Sequence, residues 1–139
     1  MATFQKFNQF VEDLAKGVHN LSTGQLKVAL TNTAPVAANS VYADLTSPLA
    51  TTNLSGATPF NVTTTSCEQT SGTLTLVLVD LTLTATGAVG PFQYVVLYND
   101  TPTSPADPLI GWWDYGSAVT MANTETFLID FAATTISLS

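Results

Sequence analysis

The chain has 139 residues, of which 45% are hydrophobic and only 9% are charged, and its formal net charge is −7. This length suits one domain with its own core, and the hydrophobic fraction excludes disorder as the main state. There is no arginine, and the chain beyond Lys27 is purely acidic. Such a chain cannot neutralise phosphates, so we predict no binding to nucleic acids or to anionic membrane surfaces.

An amphipathic helix is predicted at the N-terminus, from Thr3 as N-cap to about Asn20, within an N-terminal unit of residues 1–22. Apolar residues recur there at spacings of three and four, namely Phe4, Phe7, Val11, Leu14, Val18 and Leu21. The repeat is too short for a coiled coil, so packing of this helix on a sheet is favoured over helix–helix assembly. The same segment lacks a continuous apolar stretch, so we expect no signal peptide, and no run in the chain is long enough for a membrane helix.

Alternation predicts a first strand over residues 26–31, followed by a long, weakly patterned region from 32 to 71. A region of that length in a compact domain suggests an extended arm, or a loop with short edge strands. Residues 73–86 are predicted to be extended, with Val77, Val79, Leu81, Leu83 and Ala85 on one face.

The centre of the sheet is predicted in two aromatic runs, Phe92–Tyr98 and Leu109–Tyr115, which a loop with three prolines joins. Neither face of the first run is polar, which is typical of a central strand covered on both sides. Its alternation places Phe92, Tyr94, Val96 and Tyr98 on one face and Val95 and Leu97 on the other. Strands over residues 126–131 and 135–138 complete the pattern, which predicts a single mainly β domain with one helix, an antiparallel β-sandwich of jelly-roll type.

No catalytic, cofactor or metal site is predicted, and the chain is expected not to be an enzyme. Its only histidine, His19, is far in sequence from Cys67 and from every candidate serine, and one His and one Cys cannot form a zinc site. Two weaker alternatives use carboxylates: a glycosidase pair of Asp107 and Asp114, and a calcium site of Asn99, Asp100 and Asp107.

The neighbouring Trp112 and Trp113 point to opposite faces if they lie on a strand. One indole is therefore expected in the core and the other at a protein interface or, less favoured, stacked on a sugar ring.

Four stretches carry a resemblance to a known family: GPFQYVVLYNDTPTSPADPLIGWWDYGS, KFNQFVEDLAKGVHNL, LKVALTNTAP and ETFLIDF. Together they make the chain similar to a family of small tailed-phage proteins from the neighbourhood of the capsid genes. In size and β character it also resembles the decoration, or cement, proteins of the outer capsid surface.

The resemblance implies a non-enzymatic virion protein that stabilises contacts between capsomers, with the major capsid protein and two further copies of itself, in a homotrimer, as partners. The alternative is a tail or adsorption component with a carbohydrate-binding β-sandwich. The interface candidates are Phe4, Phe7, Val11, Leu14, Tyr42, Leu45, Pro102, Pro105, Trp112 and Trp113.

Overall fold

The computed structural model describes residues 3–132 and 135–138, and these residues form ten strands, one α-helix and one short 3₁₀ turn. The elements, in chain order, are β1 (Phe4–Lys6), α1 (Asn8–Ala15), β2 (Leu26–Thr31), the 3₁₀ turn (Tyr42–Asp44), β3 (Asn61–Val62), β4 (Thr64–Thr70), β5 (Thr73–Leu78), β6 (Leu81–Thr84), β7 (Val89–Asn99), β8 (Leu109–Met121), β9 (Thr126–Ile129) and β10 (Ile136–Leu138). The prediction of a mainly β chain with one helix is confirmed.

The strands form three antiparallel sheets. The largest has five strands in the order β1-β8-β7-β2-β3, the second has the order β10-β5-β4, and the third pairs β6 with β9. The main core takes buried side chains from all three sheets, including Val28 of β2, Leu76 of β5, Leu83 of β6 and Ile136 of β10. These sheets therefore share one hydrophobic interior.

The predicted central strand lies within β7 and is covered on both sides. Val95 and Leu97 face the main core, whereas Val96 and Tyr98 belong to a second buried group on the opposite face of the five-stranded sheet. The face assigned to Phe92 was wrong, because Phe92 lies in the main core. Irregular register on both sides of Phe92 shifts the alternation by the time the strand reaches Tyr94.

The second buried group, here called the outer cluster, contains Phe7, Ala29, Leu45, Val96, Tyr98, Leu109 and Trp112. It is covered by residues 35–45, here called the crossing segment, which also packs Ala37 and Tyr42 against it. Two backbone hydrogen bonds hold this segment in place. Asn8 N–H donates to the Ala37 carbonyl oxygen at 2.9 Å, and Leu109 N–H donates to the Ser40 carbonyl oxygen at 3.0 Å.

The helix is shorter than predicted. Residues 4–6 are not helical but form β1, an edge strand that pairs with β8, with Phe4 opposite Trp113. The helix then begins after Phe7, which occupies the N-cap position without a side-chain hydrogen bond, so the prediction of Thr3 as N-cap was wrong. Residues 4–6 have the apolar spacing of a helix, but their pairing with β8 makes them a strand. Residues 1 and 2 of the predicted N-terminal unit lie outside the described residues.

Region 32–71 is a loop with short edge strands, not a projecting arm. Leu45, Leu54 and Phe60 are buried, and the final part forms β3 and β4, which are edge strands of two different sheets. Scattered apolar residues in a polar sequence anchor such a loop to the domain, although they produce no periodic pattern.

The predicted strand over residues 73–86 is divided at Val79 and Asp80 into β5 and β6. As a result the buried positions are Leu76, Leu78 and Leu83, while Val79 is exposed, so the face assigned to Val77 and Val79 was wrong. Asp80 fixes the break, because its Oδ1 accepts a hydrogen bond from Phe131 N–H at 2.9 Å.

Candidate interaction surface

The structure uses most of the predicted interface residues within the chain itself. Phe7, Leu45 and Trp112 are buried in the outer cluster, with Tyr42 packed against it. Trp113 is buried in the main core, and the partly buried Phe4 and Leu14 pack against that core. Three candidates lie at the surface to different degrees: Val11 and Pro105 are exposed, and Pro102 is half-buried.

The two tryptophans face opposite sides of the five-stranded sheet as predicted, but neither indole is exposed. Trp112 is 7% exposed and packs on Phe7, with ring centroids 4.5 Å apart. Trp113 is 4% exposed and lies between Phe4 and Phe131. The expectation of one outward indole was wrong because the crossing segment covers the second face of the sheet.

We expect both indoles to be shielded from solutes in the native protein. Tryptophan emission should be blue-shifted and weakly quenched by acrylamide, and quenching should rise several-fold on unfolding in urea. A Trp112→Phe variant allows the signal of Trp113 to be measured alone. Strong native-state quenching would contradict the placement of the indoles and revive the sugar-stacking alternative.

A group of polar side chains lies where the loop between β7 and β8 meets β2 and the 3₁₀ turn. Lys27 Nζ lies 3.3 Å from Asp100 Oδ2. Burial, together with a hydrogen bond and charge repulsion from Asp100, raises the pKa of Asp107. The backbone supports this arrangement, since Tyr42 N–H donates to the Asp107 carbonyl at 2.9 Å.

Two tyrosines complete this group, here called the loop-end group (Lys27, Tyr42, Tyr98, Asp100 and Asp107). Their rings are stacked at an angle with centroids 5.0 Å apart. Burial raises the pKa of Tyr98. It also raises the pKa of Tyr42, to which the charge of Asp107 adds a smaller contribution. Both hydroxyls are therefore neutral hydrogen-bonding groups at physiological pH, not phenolate nucleophiles.

A cleft of about 360 Å³ lies beside the loop-end group and is lined by Lys27, Tyr42, Tyr98, Phe60 and Asn61 among others. The Asn61 Oδ1 atom is buried there and has no hydrogen-bond partner among the described residues. The cleft presents aromatic edges, one cation and one amide, which suits contact with polar groups of another molecule. It contains no nucleophile paired with a base.

The carboxylate alternatives do not assemble as required. Asp114 is exposed on β8, where hydrogen bonds from Gln93 and Gly116 N–H lower its pKa. It follows Leu109 by five strand residues, roughly 16 Å along β8, so it does not pair with Asp107. In the calcium alternative, the Asn99 side chain is directed to His19 and Thr101 instead. Over residues 3–132 and 135–138, no group of three His, Cys, Asp or Glu side chains is placed to hold a metal ion.

His19 and Asn99 form a buried polar contact that the sequence did not reveal. Asn99 Oδ1 accepts a hydrogen bond from Thr101 N–H at 3.1 Å, which directs its Nδ2 to His19 Nδ1 at 3.2 Å. An amide NH₂ only donates, so Nδ1 is the acceptor and the ring proton is assigned to Nε2. Burial lowers the pKa of His19, and the nearby Asp13 opposes that effect. At neutral pH, His19 is therefore an uncharged structural residue.

We expect stability to fall as the pH is lowered from about 6.5, the unperturbed histidine pKa, because the unfolded state then binds a proton more readily than the folded state. The loss should continue until the pH passes the lowered folded pKa, with a slope of at most about 1.4 kcal/mol per pH unit. Urea unfolding between pH 7.5 and 5 measures this slope. His19→Gln keeps an acceptor for Asn99 and should remove the slope. An equal slope in wild type and variant would contradict the assignment.

Cys67 is half-buried, and burial raises the pKa of its thiol. A thiol with a raised pKa is a poor nucleophile at neutral pH. One acid of the loop-end group had a signal in the sequence, because Asp100 comes soon after the predicted central strand. Asp13 had none, since its helix position alone does not distinguish a buried acid from a solvated one.

The two smaller sheets present a nearly uncharged surface. Their five strands (β4, β5, β6, β9 and β10) contain a single charged residue, Glu68. Solvent-facing positions carry hydroxyl and small apolar groups, among them Thr70, Thr82 and Thr126, together with the half-exposed Leu128. We call this surface the neutral face.

Comparison with family models, with curated proteins and with solved structures finds no match for this chain. In the part of the chain that the structure describes, no helix has both the length and the apolar character needed to cross a membrane.

Proposed function

We propose that this chain is a non-enzymatic structural protein of a phage virion, a decoration or cement protein on the outer capsid surface. In this role it binds the major capsid protein, stabilises contacts between neighbouring capsomers and associates as a homotrimer. The proposal begins from the sequence resemblance and is supported by one structural observation, the neutral face.

The neutral face is suited to being covered by protein. Burying ions at an interface is costly unless each is paired, and the strands of this surface avoid most of that cost because Glu68 is their only charge, with Asp80 and Asp130 in the adjoining turns. The exposed Val79 and Leu128 add apolar area that gains free energy when water is removed. The edge strand β4 adds seven residues whose outer backbone groups are available for pairing.

We further propose that the sheets form a β-sandwich related to the jelly roll. The supporting observation is that three strand pairs are nested in sequence: β7 with β8, β6 with β9, and β5 with β10. Nested antiparallel pairs arise when one long hairpin is folded over, as in double-sheet jelly rolls.

The main argument for the alternative, a carbohydrate-binding tail or adsorption component, is not supported by the structure. It depended on an exposed indole as a stacking platform, and Trp112 and Trp113 are both buried. The cement role is therefore the function that we favour.

The test is addition of purified protein to capsids that lack it, taken from the phage that encodes the chain. We expect saturable binding in a copy number comparable to that of the shell protein and greater resistance of the capsids to heat. Light scattering of the free protein tests the trimer, and imaging of the decorated particle places it. Binding to tails alone, or no binding to capsids, would overturn the proposal.

A matched pair of variants tests the neutral face. Leu128→Asp adds a charge to it, whereas Asn123→Asp adds the same charge to an exposed turn outside it. We expect capsid binding to fall at least tenfold with the first variant and to stay within twofold with the second. Equal binding by both would mean that another surface contacts the shell.

A further inference from the structure

A second cleft, of about 290 Å³, lies between α1, the crossing segment and the loop that joins β7 to β8. One wall is the helix face with Gln9, Glu12, Asp13 and Lys16, and the other walls include Val41 and Pro105. This volume is at the low end for ligand sites, so it suits a single side chain better than a larger ligand. We call it the helix cleft.

Asp13 makes the helix cleft unusual. It is 4% exposed, and its Oδ2 atom is buried without a hydrogen-bond partner among the described residues. Its other oxygen accepts a hydrogen bond from Gln9 Nε2 at 3.1 Å, and the same Gln9 amide nitrogen also donates to Glu12 Oε2 at 2.6 Å. Gln9 thus holds two acidic side chains side by side.

The chain does not neutralise Asp13 itself. Lys16, the nearest cation on the helix, is 3.0 Å from Glu12 Oε2 and is paired with it. His19, the other titratable group beside Asp13, is uncharged at neutral pH for the reasons given above. A buried carboxyl oxygen without a hydrogen-bond partner is costly, and a cationic donor that enters the cleft would remove that cost.

We propose that the helix cleft receives a basic side chain of the shell protein, an arginine or a lysine, whose charged end pairs with Asp13 while its aliphatic stem lies along Val41 and Pro105. This rests on the proposed cement function and names the partner chemistry of one contact. The net charge of −7 favours a basic partner. A second copy of this chain is a weaker source, because Lys16 and Lys27 are already paired and only Lys6 would be free among the described lysines.

The first experiment uses a small probe in place of the partner. N-acetyl-L-arginine methylamide is titrated into the full chain and followed by NMR, with the uncharged citrulline analogue as a control. We expect saturable shifts at the amides of Gln9, Asp13 and Val41 with the arginine compound only. Asp13→Asn should weaken binding about tenfold or more, as expected for a charge-assisted hydrogen bond, whereas Glu125→Gln, in an exposed turn outside the cleft and the neutral face, should leave it unchanged. Equal binding of the citrulline analogue, or no loss with Asp13→Asn, would overturn the proposal.

A second variant keeps the proposal testable if Asp13→Asn does not fold. Gln9→Arg places a guanidinium of the chain itself next to Asp13 on a helix that tolerates arginine. We expect it to abolish probe binding while the thermal unfolding temperature stays the same or rises. Undiminished probe binding in this variant would place the probe elsewhere and overturn the proposal.

The second experiment separates this proposal from the cement function. If wild type binds capsids and both variants bind at least tenfold less tightly, the cleft contacts the shell. If the variants bind capsids like wild type, the cleft proposal is wrong and the cement function stands. If the probe binds but capsids do not, the cement function is wrong. Dissociation of the free oligomer by the probe would assign the cleft to Lys6 of a second copy and overturn the partner proposed here.

Discussion

Trp113→Ala is expected to lower the free energy of unfolding by about 3–5 kcal/mol, the usual cost of removing a buried large aromatic side chain. The indole lies between Phe4 and Phe131, at centroid distances of 5.2 and 5.5 Å, so its removal leaves a cavity that touches both β1 and the segment after β9. A domain of this size has a total stability of about 5–15 kcal/mol, so at least about a fifth of it would be lost.

Urea unfolding followed by circular dichroism measures this change, and the melting temperature should fall by about 10–15 °C. Trp113→Phe keeps part of the aromatic packing and should cost less than half as much. A loss below 1 kcal/mol for Trp113→Ala would show that the indole is not part of the core in solution.

Gly111→Ala is expected to displace β1 from the five-stranded sheet. A Cβ atom at Gly111 would overlap the Phe4 ring and would lie 2.5 Å from the Gln5 carbonyl oxygen. Overpacking of this kind costs about 1–3 kcal/mol and sometimes more. Because one of the obstructing atoms belongs to the backbone, we expect a cost at or above the upper end of that range.

Hydrogen exchange at the amides of residues 4–7 measures the displacement, together with urea unfolding. Ser117→Ala, at an exposed position of the same strand, is the control and should change stability by less than about 0.5 kcal/mol. Adding Phe4→Ala to Gly111→Ala removes one of the two obstructions. The double variant should therefore be more stable than the sum of the single effects predicts. Strict additivity would contradict a steric contact between these residues.

The parts of the fold that the sequence could predict are those with a regular pattern. The strand over residues 26–31 and the doubly covered central strand have clear signals in alternation and in continuous hydrophobicity. Phe92 was assigned to the wrong face of the strand because a β-bulge changes the face that a residue occupies. No residue type identifies the position of a bulge in the sequence. The helix was extended too far because Phe4 and Phe7 fit a helical stripe equally well when their strand partners are far away in sequence.

The candidate surface was harder to predict than the fold. Exposed aromatic anchors were expected at Trp112 and Trp113, but burial of Trp112 depends on the crossing segment, whose sequence is mostly small and polar. Only the folded chain shows that this segment lies on that face. Likewise, Asp13 stands out because it is buried and its Oδ2 atom has no hydrogen-bond partner among the described residues. The spacing of residues along the helix predicts neither property.

The pairing of β1 with β8 has a consequence for how the protein is made. Phe4 lies opposite Trp113, and Leu26 of β2 lies opposite Asn99, so β1 has no sheet partner, and β2 has only the two-residue β3, until most of the polypeptide has left the ribosome. Contacts between such distant residues carry a high loop-closure entropy and slow the search for the native state. Nascent chains interrupted before β7 is made would expose the apolar side chains of β2, and those interrupted before β8 would also leave Phe4 of β1 without its partner.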